Sequence, residues 1–343
     1  MQQLEVIIDG RALVGDRTGI GVHTAEIARR LEFAPPPLIA SHAEIEDRTG
    51  LESCRFRVDP TSLGVVWQQR VLARIAEGAV LWGPHGTLPL RLRTPAVATI
   101  HDFTSITMPG RHKLRTIASF NLFIAPSLAH AWRIAAVSRA VAEEAVRGFG
   151  VPRQKIEIVP NGVDDFFSPG DRKDDYVLFV GTLEPRKGID DLLAVWESLP
   201  EPRPRLVLCG GAGWKVKIPA GRNIEVTGFV DRQRLRTLYR EATLFVYPSR
   251  YEGFGIPPLE AMACGTAVVA TKTGAIPEFA GEAALLVEPG DRPALRKAIL
   301  RALGSSELRR DLAARGVERA ATYGWARSAQ LMTDLLAQAW RCG

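Results

Sequence analysis

The chain has 343 residues, a hydrophobic share of 46% and a formal net charge of +6. This length suits two domains better than one, and the composition is ordinary for a globular protein in water. No apolar run approaches the ~20 residues that span a bilayer, and no secretory signal is visible at the N-terminus. The four cysteines form no C-x-x-C pair, so we expect no zinc site, no disulfide framework and a cytoplasmic setting.

The first half of the sequence alternates strand patterns with helix patterns. Short apolar runs bounded by turn residues predict strands at 4–9, 79–82, 96–100 and 133–137. Residues 20–31 form an amphipathic helical pattern, and Ser138 is a favourable N-cap for a helix over 139–149. Such alternation predicts a parallel sheet with helices on both faces, which is the α/β architecture.

Basic residues are concentrated in one part of this half. Between residues 85 and 140 the sequence has seven Lys or Arg residues and one acid, Asp102. A solvated basic surface explains this pattern, and so does attraction to anionic lipid headgroups or to a phosphorylated acceptor. Nucleic acid is a weaker alternative, because no helix-turn-helix, zinc-finger or aromatic RNA-binding signature accompanies the charge.

The second half repeats the alternation more clearly. Apolar runs predict six strands, at 176–180, 205–209, 223–226, 244–247, 267–270 and 283–287. Helical patterns follow at 190–197, 232–241, 258–263 and 292–303. Glycines come directly after several of the strands, and open α/β sheets bind ligands outside the carboxyl ends of their strands. The glycines therefore mark one rim of a predicted ligand crevice.

The segment from 245 to 271, FVYPSRYEGFGIPPLEAMACGTAVVAT, carries the strongest chemical pattern. A buried strand leads into a glycine-bearing loop, and two prolines open a short helix. The N–H groups of a helix start suit a bound phosphate, yet Glu252 and Glu260 bracket the segment and would repel one. We therefore expect the two acids to bind hydroxyl groups on either side of a diphosphate, as in a nucleotide-sugar.

A cationic loop follows the first strand of the second half. Its sequence from 181 to 188, GTLEPRKG, starts and ends with glycine and places Arg186 beside Lys187. A diphosphate leaving group needs its growing negative charge stabilised in the transition state. We predict that these two cations hold the diphosphate, because Arg offers a fork of donors and Lys a compact charge. A solvated basic turn is the alternative for the loop taken alone.

Five residues carry a resemblance to a known family: Glu252, Gly253, Phe254, Gly255 and Glu260. They resemble the E-x7-E motif of the retaining glycosyltransferases of family 4, which have the GT-B fold. The resemblance covers nearly the whole chain and is strongest in residues 176–290. It implies two Rossmann-like, doubly wound domains that face each other across a cleft, with the C-terminal helix crossing back to the first domain.

The resemblance also implies which residues bind each part of the donor. Glu252 lies near the donor sugar, and Glu260 receives the ribose hydroxyls, although a carboxylate stabilised by the helix dipole explains Glu260 alone. Backbone contacts to the sugar and phosphates come from Gly253, Phe254, Gly255 and Ile256. After the strand that ends in glycine, the base docks on the backbone of Gly228, Phe229 and Val230. An ordinary strand–turn–helix junction explains those three residues equally well. Gly181 opens the cationic loop.

The resemblance adds two features of the first domain. The loop with Gly19 and Gly21 lies near the donor phosphate, although a lone G-x-G is a weak signal because Thr24 stands where a dinucleotide fingerprint has glycine. His101 faces the donor sugar as a hydrogen-bonding group, and a structural histidine is the alternative there. With Glu252, Arg186 and Lys187, His101 completes the predicted catalytic set. Many relatives carry an arginine at the position of Thr182, so the separate roles of the two cations stay open.

We predict three segments on this basis. They are an N-terminal acceptor-binding domain at 1–168, a nucleotide-sugar-binding domain at 169–322, and a helix at 323–343 that packs on the first domain. Since no D-x-D triplet occurs, we expect cationic side chains to replace a metal, with no cofactor beyond the nucleotide-sugar substrate.

The resemblance to bacterial mannosyltransferases of polysaccharide assembly implies GDP-mannose as the first choice of donor. UDP-glucose, UDP-N-acetylglucosamine and rhamnose donors stay open. The acceptor is expected to be a glycan or a lipid-linked oligosaccharide, with peripheral contact to the inner face of an anionic membrane and no nucleic acid. A non-catalytic nucleotide-sugar-binding subunit and a GT-B sugar epimerase are the alternative functions.

Overall fold

The computed structural model describes residues 4–15, 17, 19–60, 64–107, 114–170, 173–211 and 223–342, without the side chains of 114–120. The chain forms two compact units. Unit 1 comprises Met1–Gly162 with Trp325–Gly343, and unit 2 comprises Val163–Gly324. Each unit is built around one parallel sheet.

Unit 1 contains a sheet of seven parallel strands in the order β3-β2-β1-β4-β5-β6-β7. The strands are β1 (Val6–Asp9), β2 (Leu38–Ser41), β3 (Arg55–Val58), β4 (Val80–Gly83), β5 (Ala96–Ile100), β6 (Arg133–Ala136) and β7 (Ile156–Ile158). Every residue of β1, β4 and β5 is buried, as expected where helices cover both faces of a parallel sheet.

The helices of unit 1 follow its strands. They are α1 (Gly19–Ala28), α2 (Gly64–Trp67), α3 (Ala73–Ile75), α4 (Thr104–Thr107), α5 (Leu114–His130) and α6 (Arg139–Phe149). A π-helical turn, Gln68–Leu72, joins α2 to α3. The predicted N-cap of α6 is confirmed, because the Ser138 hydroxyl accepts a 3.1 Å hydrogen bond from the Val141 N–H.

Unit 2 contains six parallel strands in the order β10-β9-β8-β11-β12-β13. The strands are β8 (Tyr176–Val180), β9 (Arg205–Cys209), β10 (Ile224–Gly228), β11 (Leu244–Tyr247), β12 (Val268–Thr271) and β13 (Ala284–Val287). Its helices are α7 (Ile189–Glu197), α8 (Arg232–Glu241), α9 (Ile256–Ala263), α10 (Ile276–Ala280), α11 (Arg292–Gly304) and α12 (Ser306–Ala321). No helix among the described residues of either unit is long and apolar enough to cross a membrane.

Both sheets reverse their strand order at one point. In unit 2 the reversal lies between β8 and β11, and in unit 1 it lies between β1 and β4. The order 3-2-1-4-5-6 is that of the Rossmann fold, in which ligands bind at this switch point, outside the carboxyl ends of the strands. The predicted doubly wound class is therefore confirmed, and each unit has one position where a ligand site is expected.

The last helix, α13 (Trp325–Cys342), belongs to unit 1 and packs against α1, β4, β5 and β6. The Ser328 hydroxyl donates a 2.6 Å hydrogen bond to the Pro160 carbonyl, which fixes the start of this helix. The resemblance implied that the C-terminal helix crosses back to the first domain, as α13 does.

The first crossing from unit 1 to unit 2 lies a few residues before the predicted boundary at 168/169. The reason is that the intervening residues already make their contacts in unit 2. Val163 N–H donates to the Tyr323 carbonyl at 2.7 Å, and the Asp164 carboxylate pairs with Arg232 at 2.9 Å.

The predicted strands of unit 2 all exist, within two residues at each end. In unit 1 the sequence patterns missed β2, β3 and β7. All three strands are short, and β3 alternates exposed arginines with half-buried residues, so it has no continuous apolar run.

Candidate active site

The site in unit 2 lies at the switch point, where the loop after β8 meets the loop after β11. Arg250 N–H donates a 2.8 Å hydrogen bond to the Arg186 carbonyl and so ties the two loops together. Gly188 ends the first loop with φ 70°, and a Cβ there would stand 1.9 Å from the Pro248 carbonyl oxygen. No other residue fits at this crossing, which explains the second glycine of the GTLEPRKG loop.

A hydrogen-bonded network surrounds the carboxylate of Glu252. Lys187 Nζ donates to Glu252 Oε1 at 2.6 Å and to the Tyr247 hydroxyl at 2.8 Å. The hydroxyls of Tyr247 and Ser249 donate to the same Oε1, at 2.9 and 2.6 Å. Oε1 therefore accepts three hydrogen bonds, whereas the nearest cation to Oε2 among the described residues is Arg186, whose Nη1 lies 3.7 Å away.

The Arg186 guanidinium is held in place by a neighbouring acid and a carbonyl. Its Nε donates to Glu184 Oε1 at 2.9 Å, and its Nη2 lies 2.7 Å from the same oxygen. Its Nη1 donates to the Tyr251 carbonyl at 3.1 Å. The two predicted cations thus converge on Glu252, with Lys187 in direct contact and Arg186 one step further away.

The charges of this network balance. Burial raises the pKa of Glu252, but the charges of Lys187 and Arg186 outweigh burial and hold the pKa below its usual range. Burial, and then the charge of Glu252, raise the pKa of Tyr247 well above its usual value, so its hydroxyl stays protonated. At neutral pH Glu252 is therefore an ionised carboxylate, and Lys187 offsets its charge at Oε1.

The helix after this loop offers fewer N–H donors than its sequence predicts. Helix α9 begins at Ile256, two residues before the predicted start, with Gly255 as its N-cap. Pro257 and Pro258 occupy the next two positions and have no N–H group. The donors that a helix N-terminus normally presents to an anion are therefore halved in this first turn, and the Ile256 N–H is the first of those that remain.

Of the neighbouring predicted residues, Phe254 has a structural side chain. Its ring is buried and lies 5.4 Å from the Phe279 ring, so only its backbone is available to a ligand. Gly253 is buried beside it. Gly181 follows β8 directly, and its N–H donates a 2.9 Å hydrogen bond to the Cys209 carbonyl at the end of β9.

Glu260 lies on α9 and contacts a tyrosine of α8. The Tyr239 hydroxyl donates to Glu260 Oε2 at 2.8 Å. Burial raises the pKa of Glu260 to about 7, although the Tyr239 hydrogen bond and the charge of Arg232 act in the opposite direction. Unlike Glu252, this carboxyl has no cation in direct contact among the described residues, so its charge near neutral pH depends on what else approaches it.

The turn after β10 presents an aromatic ring to solvent. Phe229 is 87% exposed, which is unusual for a phenylalanine, and its ring lies over Gly211, where a Cβ would come within 2.2 Å of it. Gly228 and Val230 on either side are half-buried. The turn therefore offers a flat apolar face beside the Gly228 carbonyl, which accepts a 3.0 Å hydrogen bond from the Gly210 N–H.

The remaining predicted residues, His101, Gly19 and Gly21, belong to unit 1. His101 follows β5 and its Nε2 lies 3.0 Å from the Pro84 carbonyl. Its ring makes an edge contact with the His23 ring at 4.6 Å. Burial lowers the pKa of His101 to about 4, against the charge of Asp102, so the ring is neutral at physiological pH and suits a hydrogen-bonding role.

The two glycines of the α1 loop have different surroundings. A Cβ at Gly21 would stand 2.6 Å from the Ala12 carbonyl oxygen, so this glycine lets α1 pack closely on the turn after β1. Gly19 opens α1 and has no atom near its Cβ position. Thr18, which precedes it in the predicted loop, lies outside the described residues.

Four site residues were missed by sequence reasoning: Tyr247, Ser249, Glu184 and Tyr239. The first three flank predicted residues in the two loops, so their positions at strand ends were a usable signal. Tyr239 had none, because its partner is 21 residues away on another helix.

Comparison with known proteins identifies the family. The model described as Glycosyl transferases group 1 matches residues 163–319, and Glycosyltransferase Family 4 matches residues 17–165. O-antigen chain mannosyltransferase B of Escherichia coli is 34% identical over an alignment of 267 residues that covers 71% of this chain and 70% of that relative. The chain belongs to the family 4 glycosyltransferases.

A second curated relative and two solved structures agree with this assignment. O-antigen chain mannosyltransferase RfbU of Salmonella typhimurium is 28% identical over 239 residues, 67% of this chain and 66% of that relative. Anabaena HepE in complex with UDP-glucose has a TM-score of 0.79 at 19% identity, covering 98% and 100% of the two chains. WaaG has a TM-score of 0.74 at 16% identity, covering 97% and 99%. The fold is GT-B.

Proposed function

We propose that this glycosyltransferase moves mannose from GDP-mannose to a hydroxyl group of a glycan acceptor, with retention of anomeric configuration and without a metal. The observation that carries the proposal is the buried Glu252 carboxylate, which Lys187 neutralises at the switch point of unit 2. Two of the relatives described above are named as mannosyltransferases, which favours mannose over glucose, N-acetylglucosamine or rhamnose.

In this proposal the diphosphate of the donor lies against Lys187 and Arg186. Lys187 has three N–H groups and contacts two acceptors in the described part of the chain, so one N–H is left for a phosphate oxygen. An arriving diphosphate also competes with Glu252 for the same ammonium. The two cations supply the positive charge that a metal provides in other transferases, because they can offset the charge that grows on the leaving phosphate.

The two acids take the two ends of the donor. Glu252 Oε1 is already saturated, so a hydroxyl of the donor sugar binds at Oε2. Glu260 accepts the ribose hydroxyls, and the base docks at Gly228, Phe229 and Val230. The backbone of Gly253, Gly255 and Ile256 lines the path between them.

The chemical step needs no protein nucleophile. The bond between the anomeric carbon and the leaving phosphate oxygen breaks, and the acceptor oxygen bonds to the same face of that carbon. The acceptor proton passes to the leaving phosphate oxygen, so charge and atoms balance. Neutral His101 hydrogen-bonds the donor sugar, and Lys187 and Arg186 stabilise the departing diphosphate.

A panel of nucleotide-sugars tests the donor. GDP-mannose is expected to raise the melting temperature more than UDP-glucose, UDP-N-acetylglucosamine or dTDP-rhamnose, because a ligand that binds only the folded state stabilises it. Proton NMR of the product formed with a glycan acceptor should then show the donor's anomeric configuration. Another preferred donor, or an inverted product, would contradict the proposal. Turnover of the donor without acceptor would indicate an epimerase, and binding without any turnover a non-catalytic subunit.

We also propose peripheral contact with an anionic membrane. Arg91 and Arg93 are exposed beside Leu90, which is 45% exposed, and Leu122 in α5 is 66% exposed. The predicted residues Arg111 and Lys113, and the side chain of Arg115, lie outside the described part of the structure. Flotation with phosphatidylglycerol vesicles should be lost when these last three charges are reversed, and retained after an equal reversal on α12. Unchanged flotation of the first variant would contradict the proposal.

A further inference from the structure

The carboxyl-end edge of the unit 1 sheet carries a second group of polar side chains. The neighbouring strands β2, β1, β4 and β5 are each followed within two residues by a basic or imidazole side chain: His42, Arg11, His85 and His101. Arg11 and His85 follow the two strands that flank the switch point, where a sheet of this topology is expected to bind a ligand.

The one full cation of this group is already neutralised. Nε and Nη2 of Arg11 donate to the buried Asp9 carboxylate at 2.7 to 3.0 Å. Burial raises the pKa of Asp9, but the charge and hydrogen bonds of Arg11 outweigh it and hold the pKa below its usual value. Gln68 Nε2 donates to the Thr87 carbonyl at 2.7 Å and lies 3.4 Å from Asp9 Oδ2. The pair is therefore fixed, and its charges cancel.

Two imidazole nitrogens beside this pair lack partners. His42 Nδ1 and His85 Nε2 are buried and have no hydrogen-bond partner among the described residues. A Cβ at Gly64 would lie 3.4 Å from the His42 ring and 3.6 Å from Arg11 Cδ, which places those side chains next to each other. Buried polar atoms in proteins are nearly always hydrogen-bonded, so the two nitrogens point to a ligand that supplies the missing bonds.

The chemistry of the described group favours an uncharged ligand over an anionic one. Burial, and then the charge of Arg11, lower the pKa of His85 to about 4, and the same causes lower the pKa of His42. Neutral imidazoles donate at one nitrogen and accept at the other, as hydroxyl groups do. A phosphate or carboxylate would find a single cation, Arg11, which already pairs with Asp9, whereas the unit 2 site offers two cations. Burying an uncompensated charge beside the Asp9–Arg11 pair is costly.

We propose that this edge of unit 1 is an acceptor subsite for an uncharged sugar residue, whose hydroxyl groups bind His42 Nδ1 and His85 Nε2 beside the Asp9–Arg11 pair. The subsite adjoins His101, because His101 Nε2 contacts the carbonyl of Pro84, the residue before His85. The inference rests on the proposed function, since it names the class of acceptor for that reaction: a neutral sugar, and not a sugar phosphate.

Histidine NMR of the full chain tests the subsite without any turnover. Protein labelled with ¹³C and ¹⁵N in its six histidines is titrated with methyl α-D-mannopyranoside and, separately, with D-mannose 6-phosphate. His42→Gln and His85→Gln assign the two imidazole signals. The neutral sugar is expected to shift both signals, and the phosphate to bind at least tenfold more weakly. His85→Phe, which keeps an aromatic ring but has no ring nitrogen, should weaken sugar binding about tenfold, the usual cost of a lost buried hydrogen bond.

Controls separate this inference from the proposed function. His130→Gln should leave the titration unchanged, because the His130 ring contacts the Leu92 carbonyl at 2.8 Å. His130 precedes β6 and Leu92 precedes β5, so both lie at the opposite, amino-end edge of the sheet. Tighter binding of the phosphate, or no shift of either signal with either sugar, would overturn the neutral-sugar subsite. Calorimetric titration of the same sample with GDP reads the donor site of unit 2 independently. GDP binding without a sugar shift defeats the subsite alone, whereas absent GDP binding defeats the proposed donor.

Discussion

The two sheet edges of this glycosyltransferase differ in the number of cations they hold and in the groups around them. At the edge of unit 2, Lys187 and Arg186 converge on one buried carboxylate, and a second carboxyl, Glu260, contacts no cation in the part of the chain that the structure describes. At the edge of unit 1, Arg11 is paired with Asp9 and the other groups are neutral imidazoles. The same strand order thus supports two differently charged edges, for which we propose an anionic, hydroxyl-bearing ligand in unit 2 and a neutral ligand in unit 1. Topology sets where a ligand binds, and side-chain charge sets which ligand it is.

The largest expected effect comes from breaking the charged edge. Lys187→Ala should lower the rate of sugar transfer about 10²–10³-fold, because it removes a cation from the leaving diphosphate. Glu252→Ala should also lower the rate strongly through loss of the contact to the donor sugar. Initial-rate measurements with saturating acceptor check both.

A surface pair in the same unit provides the matched control. Lys272 pairs with Glu288 at 2.8 Å, and both side chains are largely exposed. Lys272→Ala should leave the transfer rate and the melting temperature nearly unchanged, because exposed ion pairs contribute about 0–1 kcal/mol. A wild-type rate of sugar transfer in Lys187→Ala or Glu252→Ala would show that the residue has no role in the reaction.

The next effect concerns the hydroxyl that holds Glu252. Tyr247→Phe keeps the buried ring but removes a hydrogen bond to a charged group, so we expect a loss of about 1.5–3 kcal/mol in the free energy of unfolding. Transfer should also slow, because Glu252 and Lys187 lose a shared partner. Denaturant unfolding and initial rates measure the two effects.

A second buried tyrosine sharpens this test. The Tyr176 hydroxyl donates to the Leu238 carbonyl at 2.7 Å, outside the site. Tyr176→Phe should cost only about 1 kcal/mol, as a neutral hydrogen bond does, and should leave transfer intact. Equal losses of stability and activity in both variants would mean that Tyr247 has no special relation to the site.

A pH effect of about tenfold is expected from Glu260. Ribose hydroxyls donate to the carboxylate form, and burial raises the pKa of this group to about 7. Donor affinity should therefore fall about tenfold for each pH unit below 7 and level off above it. Tyr239→Phe removes a hydrogen bond that lowers the pKa, so the midpoint should move to higher pH. A donor affinity that does not change between pH 5.5 and 8 in the wild type would contradict the ribose role. So would a pH dependence that persists in Glu260→Gln.

The smallest effect is expected at the exposed ring after β10. Phe229→Ala should weaken donor binding severalfold without changing stability, because the side chain is 87% exposed. Val226→Ala, at an exposed apolar residue within β10, is the control and should change neither quantity. Loss of stability in the first variant would assign Phe229 to packing.

The sequence predicted more of unit 2 than of unit 1 for a physical reason. Strands buried on both faces read as continuous apolar runs, and all six strands of unit 2 were found, whereas β3 alternates arginine with apolar residues at a sheet edge and was not. The sequence also pointed to Lys187 and Glu252 separately. It gave no sign that they touch, because they are 65 residues apart and follow strands that are neighbours only after the order reverses.

The edge of unit 1 was less accessible still to sequence reasoning. His101 was found through the resemblance. His85 begins the basic stretch and His42 follows the short strand β2, and neither position predicts a role. What distinguishes them is a ring nitrogen that is buried without a partner, which only the folded arrangement shows.

Calorimetric titration of wild-type, Glu252→Gln and Lys187→Ala proteins with GDP and GDP-mannose tests the central claim most directly. The account predicts that mannose adds to the affinity of GDP in the wild type. It also predicts that Glu252→Gln loses this increment while binding GDP at least as tightly, since Lys187 is released from its counter-ion, and that Lys187→Ala loses affinity for both ligands. Wild-type GDP affinity in Lys187→Ala, or an undiminished mannose increment in Glu252→Gln, would contradict it.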